Sequence, residues 1–462
     1  MVKGKQVVYP PERRKINCYL QSIHYGSQRL AATIQIEGVQ AEVVEAYASL
    51  FGKGLVGQDY DFHLYKQLIF QAEGQRFMVD VPQKVPEAVQ DLTIDQIDLY
   101  PEQVIGYEEY LSIIQQLKRV PQISVYKIAT SYLGREIYAI ELLPKAADSG
   151  YLSRTKRLTN YPSEIINARH HANEVSGTNG AFLLLKELLT DPKYQDVAEH
   201  LNLVIVTLEN VDGAAIHYEL QKKTPEWKLH VARFNGVGKE FYYEYFNLET
   251  QHTEALGMTR LYERFVPDVM VDNHGVPTHE WEQPFSGYTS PSYKGFWLPR
   301  SLLYGYFWVP TNEEYRSNIV LNKKIEDVIA EAIGSVPEMK KWNEEWAQQF
   351  ETYAHKWLPK LFPAEYYKEM INYWIGFAAD TTHRYPSIRF PWLTSVAYTS
   401  EVADETAQGE YLRLCAQAHV VHDLATIDLL LESTSLYQTS AVFTSEEINI
   451  SYTRLRPIIA SS

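Results

Sequence analysis

In Ile165-Ile166-Asn167-Ala168-Arg169-His170-His171-Ala172-Asn173-Glu174-Val175-Ser176-Gly177, an apolar run breaks into a histidine and a glutamate follows three positions later. Three positions on a tight turn let an imidazole and a carboxylate point the same way and share one metal ion. A further histidine, His274, follows a second apolar run, Pro267-Asp268-Val269-Met270-Val271-Asp272-Asn273, and precedes Gly275. Two histidines and a carboxylate are a ligand set that catalytic zinc sites use, with the fourth position left to water. His171, Glu174 and His274 are therefore the candidate ligands of one Zn2+ per chain. His170 is four residues before Glu174 rather than three and is expected to be a neighbouring surface imidazole. A second His-x-x-Glu pattern, His279/Glu282, lies in the proline-bounded stretch Pro277–Pro284, without a regular element to hold it. Such a pattern arises by chance about once in a chain of this composition. The first pair is preferred because a strand and a helix hold it from both sides. His200, His217, His419 and His422 fall in or beside regular elements and are expected to be structural or exposed.

The elements that must position these groups follow from periodicity. Apolar spacing predicts helices over Tyr107–Arg119, Ser176–Leu189 (Ser176 as its N-cap), Glu254–Phe265, Asn322–Ala332, Lys340–Trp357 and Glu410–Leu431. Strands are expected at Ile123–Ala129, Ile137–Leu143, Glu164–Ala168, Leu201–Leu208, Asp268–Asp272 and Leu393–Tyr398. Asn210-Val211-Asp212-Gly213 reads as a turn. Strands alternating with helices over more than 300 residues imply an α/β domain with a largely parallel or mixed sheet. Sites in such sheets lie beyond the carboxyl ends of strands, where the two ligand segments fall.

Residues 6–84 differ. Short alternating segments, Cys18–Ile23, Leu30–Ile36, Gln40–Val44, Gln67–Gln71 and Arg76–Val81, predict a small β-rich unit. Val81–Pro101 reads as a connection. The expected organisation is a β-rich N-terminal domain over 1–100 and a catalytic domain over 101–435. Residues 436–462 form a C-terminal extension, a candidate strand packing on the N-terminal domain.

The chain has 462 residues, 43 basic and 58 acidic, with a net charge of −15. That balance argues against a nucleic-acid or anionic-membrane surface, both of which need a basic face. Its two cysteines, Cys18 and Cys415, supply neither a disulfide framework nor a thiolate zinc site. The first twenty residues have no apolar core, and no run of 18 apolar residues occurs, so a cytoplasmic enzyme without a membrane span is expected.

From Tyr107 to Leu431 the motifs resemble, in order, those of the zinc metallocarboxypeptidases, the carboxypeptidase A-like family. The resemblance is carried by Tyr107-Glu108-Glu109-Tyr110, Ser131-Tyr132-Leu133-Gly134-Arg135-Glu136-Ile137, and His171-Ala172-Asn173-Glu174 with Ser176-Gly177. Asn210-Val211-Asp212-Gly213 and Asp272-Asn273-His274-Gly275 continue it. Val211 stands where the family's turn has proline. The resemblance implies a mixed, mostly parallel eight-stranded sheet flanked by helices. It implies zinc-dependent hydrolysis of peptide bonds, and peptides or small amides as partners. It also implies a catalytic glutamate near the end of a late strand: Glu401, in Thr394-Ser395-Val396-Ala397-Tyr398-Thr399-Ser400-Glu401, fits, with Glu405 as the alternative. Arg233 resembles, by location, the family's oxyanion-stabilising arginine.

One motif departs. Family members carry an Asn-Arg pair that grips the substrate's terminal carboxylate. This chain has Asn235-Gly236-Val237-Gly238-Lys239-Glu240-Phe241 instead. Lys239 could add positive charge, but lysine is a point charge on a flexible stem and does not reproduce a bidentate guanidinium. An aromatic stretch after His274, with Trp281 and Tyr288, is expected to overhang the site and contact substrate. The expected function is a metallocarboxypeptidase with non-standard recognition. A deacylase or amidase of the same superfamily, acting on acylated amino acids or cell-wall or γ-linked peptides, and a non-catalytic zinc-binding module are the alternatives.

Overall fold

Strand Ser163–Ala168 is buried at all six positions, which is what a strand covered by helices on both faces requires. It lies inside a large sheet seen in a computed structural model that describes residues 17–25, 30–56, 65–81, 90–144, 154–227, 229–276, 303–349, 366–367, 370–444 and 448–460. The chain forms two compact units, 1–89 and 90–462.

The smaller unit has strands β1 (Asn17–Tyr25), β2 (Leu30–Glu37), β3 (Tyr65–Ala72) and β4 (Gln75–Asp80), in that spatial order. β2 and β3 are parallel, and parallel neighbours need a crossover. The helix Ala41–Gly52 lies in that crossover. The alternation in Gln40–Val44 suggested a strand there. The helical spacing of Ala41, Val44, Ala48 and Phe51 prevails because all four are buried, the last three in a core with Leu68 and Phe70.

The larger unit contains β5 (Ile123–Thr130), β6 (Glu136–Leu142), β7 (Ser163–Ala168), β8 (Asn202–Val206) and β9 (Val269–Val276). It continues with β10 (Leu303–Pro310), β11 (Tyr366–Tyr367), β12 (Met370–Phe377) and β13 (Val396–Ala403). Their order is β11-β12-β10-β13-β9-β7-β8-β6-β5. The fold is the expected mixed α/β one: eight longer strands, plus the two-residue β11 at the edge. β8, β7, β9 and β13 run parallel to one another, so their carboxyl ends gather at one rim. β10 is antiparallel to β13, β6 is antiparallel to both β8 and β5, and β5 is the edge.

Helices Ser176–Thr190, Thr253–Phe265, Arg316–Ser335 and Gly409–Leu431 bury apolar faces against this sheet, in one core with Ile165, Val204, Val271 and Tyr398. Gly409–Leu431 is long and apolar enough by composition to cross a membrane, yet 72% of its apolar window is buried inside the protein. It also carries His419, His422 and Asp423 into the interior, which suits a core helix. Asn210-Val211-Asp212-Gly213 starts a helix, Val211–Gln221, with the Asn210 side chain accepting from Gly213 N at 2.9 Å. An Asn that caps a helix and an Asn in a turn look alike in sequence.

The C-terminal segment forms its own antiparallel hairpin, β14 (Ser433–Phe443) with β15 (Ile448–Ala460), within the larger unit. Arg454 and Arg456 account for the hairpin's location: both pair with the fully buried Asp268, at 2.8 and 3.4 Å. Asp268 also accepts from Ser163 N at 2.9 Å. This clasp holds the amino ends of β7 and β9, the ends away from the ligand segments.

A candidate metal centre at the carboxyl rim of the sheet

Beyond Ala168 the chain turns sharply. Arg169 takes a left-handed φ of 58°, a conformation non-glycine residues adopt only when their surroundings enforce it. The enforcement is visible. Arg169 N donates to Asn273 O at 3.3 Å, and its fully buried guanidinium donates to Ala172 O and Ile105 O at 2.9 and 2.6 Å. The turn then closes with Glu174 N bonded to His171 O at 3.2 Å. His171 and Glu174 therefore face the same way.

β9 brings His274 to the same point. Nδ1 of His171 lies 2.7 Å from Glu174 Oε1, and Nδ1 of His274 lies 2.9 Å from Glu174 Oε2 and 2.9 Å from His171 Nδ1. His274 stands inside the strand, two residues before Val276, rather than just past its end. All three side chains are nearly buried. Gly275 N donates to Glu174 Oε2 at 3.0 Å, which fixes the carboxylate.

The donors fit a zinc ion. Two imidazole nitrogens and a carboxylate converge, and two bare imidazole nitrogens at 2.9 Å have no reason to face each other unless a proton or a cation lies between them. Each imidazole also has a carboxylate on its far nitrogen: Asp272 Oδ2 at 2.8 Å from His274 Nε2, and Glu240 Oε2 at 3.0 Å from His171 Nε2. Such outer carboxylates fix the tautomer and make the ligating nitrogen more basic.

Electrostatics agree. Burial works to raise the Glu174 carboxyl, but the two imidazoles hold it well below its ordinary range. Burial works to lower His274, but Asp272 and Glu174 hold it well above. The pocket is thus built for positive charge.

His170 is not the surface imidazole its position suggested. It is 1% exposed, because the Arg169 turn swings it inward against Phe241 and Tyr242, with ring centroids at 4.3 and 5.3 Å. Its nitrogens meet Glu209 at 2.9 Å and Glu240 at 2.7 Å. Burial opposes the charge, but the two carboxylates push its pKa up to about 10. His170, His171 and Glu240 could in principle group around a cation. Both His170 nitrogens are taken by carboxylates of separate segments, whereas His171 and His274 turn a nitrogen each toward the other at 2.9 Å, the arrangement that calls for a cation between them. Glu209 further accepts from Asn167 at 2.6 Å and from Tyr245 OH, and Asn167 donates to Asp272 at 3.0 Å. One buried network therefore joins both outer carboxylates.

Glu401 sits on β13 directly beside His274 in the register, on the same face of the sheet. Burial and the neighbouring Glu174 raise its carboxyl well above the usual range, as suits a proton acceptor. Glu405, the alternative, is buried. Arg233 donates to Glu174 Oε1 at 3.3 Å and lies 3.7 Å from Glu240. Its segment approaches closely because a Cβ on Gly213 would meet Ala232 O at 2.7 Å and Ala172 Cβ at 2.8 Å. Lys239 pairs with Glu244 at 3.2 Å and touches none of the metal donors. Trp281, Tyr288, His279 and Glu282 lie outside the described residues.

Sequence reasoning missed Asp272, Glu240 and Glu209. Asp272 was detectable, since a carboxylate two residues before a strand histidine shares its face. Glu240 and Glu209 come from distant segments and leave no local signal. Ser176, expected as an N-cap, is the first helical residue; its N and Oγ both donate to Asp404 Oδ2, at 2.6 and 2.5 Å. A carboxylate at a helix amino end does the capping instead.

Residues 110–249 match the profile of the zinc carboxypeptidase family. No curated relative matches the sequence. Among solved structures, a metallo-carboxypeptidase from Burkholderia cenocepacia is similar at 15% identity, covering 70% of this chain and 69% of that one, with a TM-score of 0.43. A Pseudomonas aeruginosa metallo-carboxypeptidase in complex with (2-guanidinoethylmercapto)succinic acid shows 13% identity, 70% and 69% coverage and a TM-score of 0.41. Bovine thrombin-activatable fibrinolysis inhibitor, in complex with tick carboxypeptidase inhibitor, shows 10% identity, 72% and 99% coverage and a TM-score of 0.42. The matched segment begins within the helix Tyr107–Leu117 and takes in His171, Glu174, Arg233 and Glu240, so the part of the chain that carries the first ligand motif is similar to the zinc carboxypeptidases, a likeness that supports a peptidase-type hydrolase.

Proposed function

We propose that this protein is a zinc-dependent peptide hydrolase of carboxypeptidase type with its own mode of substrate recognition. The observation that carries the reading is the convergence of His171 Nδ1, Glu174 and His274 Nδ1 beside Glu401 at the sheet's carboxyl rim.

His171, Glu174 and His274 would hold the zinc, which when bound would supply a Lewis acid for the scissile carbonyl and a water of near-neutral pKa. Glu401 accepts the proton of the attacking water and delivers it to the leaving nitrogen. Its raised pKa lets it hold that proton between the two steps. Arg233, at 3.3 Å from Glu174, places a guanidinium beside the metal donors, where charge develops on the carbonyl oxygen. Asp272 and Glu240 orient the two imidazoles and accept their far N–H groups.

Chelation followed by stepwise zinc return tests this. Hydrolysis of a peptide mixture should disappear on chelation and return with one equivalent of zinc per chain. Equal hydrolysis by the chelated protein, or no hydrolysis at full zinc loading, contradicts the reading.

A further inference from the structure

Between β12 and β13, the segment His383-Arg384-Tyr385 brings a guanidinium to the metal centre's aromatic wall. The Arg384 guanidinium carbon lies 4.1 Å from the ring centroid of Tyr243, 4.9 Å from that of Tyr385 and 5.6 Å from that of Tyr242. One terminal nitrogen donates to Tyr385 OH at 3.2 Å. Its Nε is buried without a hydrogen-bond partner. Among the described residues, no carboxylate lies within ion-pair distance of it, in a chain with 58 acidic residues. A half-buried guanidinium held by three tyrosine rings and one hydroxyl gives up much of its hydration without a counter-ion, which favours an anion arriving from outside.

The cage adjoins the reacting centre. The Tyr242 ring is 5.3 Å from the His170 ring, which is 5.8 Å from His274. Tyr385 is 5.3 Å from Tyr242, and the charge of His274 acts on its hydroxyl. Tyr385 is itself fixed by stacking on Trp308 at 3.8 Å, so the cage is rigid. A planar guanidinium with free donors matches a carboxylate in bidentate fashion. Two aromatic layers separate it from His274, a distance a short extended peptide end can bridge at about 3.5 Å per residue.

We propose that Arg384, inside its tyrosine cage, binds the terminal carboxylate of the substrate and so selects peptides cleaved close to a free carboxyl end. This rests on the hydrolase reading above and names the residue that sets its specificity. The guanidinium touches substrate directly, so its loss acts on binding first.

The test uses the full zinc-loaded chain and two ligands, N-acetylphenylalanine and N-acetylphenylalanine amide. Calorimetric titration should show the acid binding at least ten times more tightly than the amide to wild type. In Arg384→Gln that preference should fall to near one, through weaker acid binding with the amide unchanged. Arg384→Lys, which keeps the charge and the stacking stem, should give an intermediate preference and controls for folding. For matched acid and amide peptide substrates, Arg384→Gln should raise KM for the acid by about 10–100-fold, the range of a charged hydrogen bond, with kcat little changed. An acid preference that survives in Arg384→Gln, or no acid preference in wild type, overturns the assignment to Arg384. Absence of zinc-dependent turnover in wild type, by contrast, would strike the hydrolase reading and leave the binding comparison standing.

Discussion

Asp272 and His274 stand two residues apart on one strand, with Asp272 Oδ2 2.8 Å from His274 Nε2. Period-2 geometry puts both on one face, so a single strand supplies a ligand and the carboxylate that orients it. Glu240 does the same for His171 from a separate segment, at 3.0 Å. Asp272→Asn and Glu240→Gln should each weaken zinc binding by about 10–100-fold without removing the site. Competition with a chromophoric chelator measures this. Affinity equal to wild type in both variants would remove these carboxylates from the metal's support.

Gly275 is held by packing. A Cβ there would stand 1.8 Å from Asp404 Oδ1, and Asp404 is itself fully buried and bound to Ser176. Gly275→Ala should cost about 1–3 kcal/mol, the range for forced overpacking. Adding Asp404→Ala should recover part of the packing cost, since it removes the clashing oxygen. Denaturant midpoints decide. An unchanged midpoint for Gly275→Ala would show that Asp404 moves freely.

His217 gives the chain a sensitivity to acid. Burial and the nearby Arg169 charge lower its imidazole pKa to about 3, against about 6.5 when unfolded. The unfolded chain binds the extra proton first. The contribution is therefore fully present above about pH 6.5 and is lost as pH falls toward 3, at about 1.4 kcal/mol per pH unit. His217→Leu should flatten stability against pH over that window. A variant with the wild-type slope would show that His217 does not set it.

The sequence was most informative where chemistry and local geometry coincide. The strand–turn–helix around His171 and Glu174, and the strand around His274, follow from periodicity and turn residues alone, because each depends on neighbours in the chain. What stayed hidden depends on distant segments. His170 looked superficial because its burial comes from Phe241 and Tyr242. The helix Ala41–Gly52 looked like a strand at its start because its apolar spacing becomes helical only over four residues spread to Phe51. The C-terminal hairpin's attachment depends on Asp268, more than 180 residues earlier, which Arg454 reaches at 2.8 Å. Arg384 lies far from every ligand in sequence and acquires its cage only in the fold.

The central claim is that a zinc-dependent reaction occurs at this rim and that Glu401 moves its proton. The most direct measurement is turnover of a peptide substrate by zinc-loaded Glu401→Gln beside wild type, with zinc content determined on the same samples. Glu401→Gln should retain one zinc per chain and lose about 10²–10⁴-fold in kcat, the span of a positioned general base. A fully zinc-loaded Glu401→Gln that turns over at the wild-type rate would contradict the account.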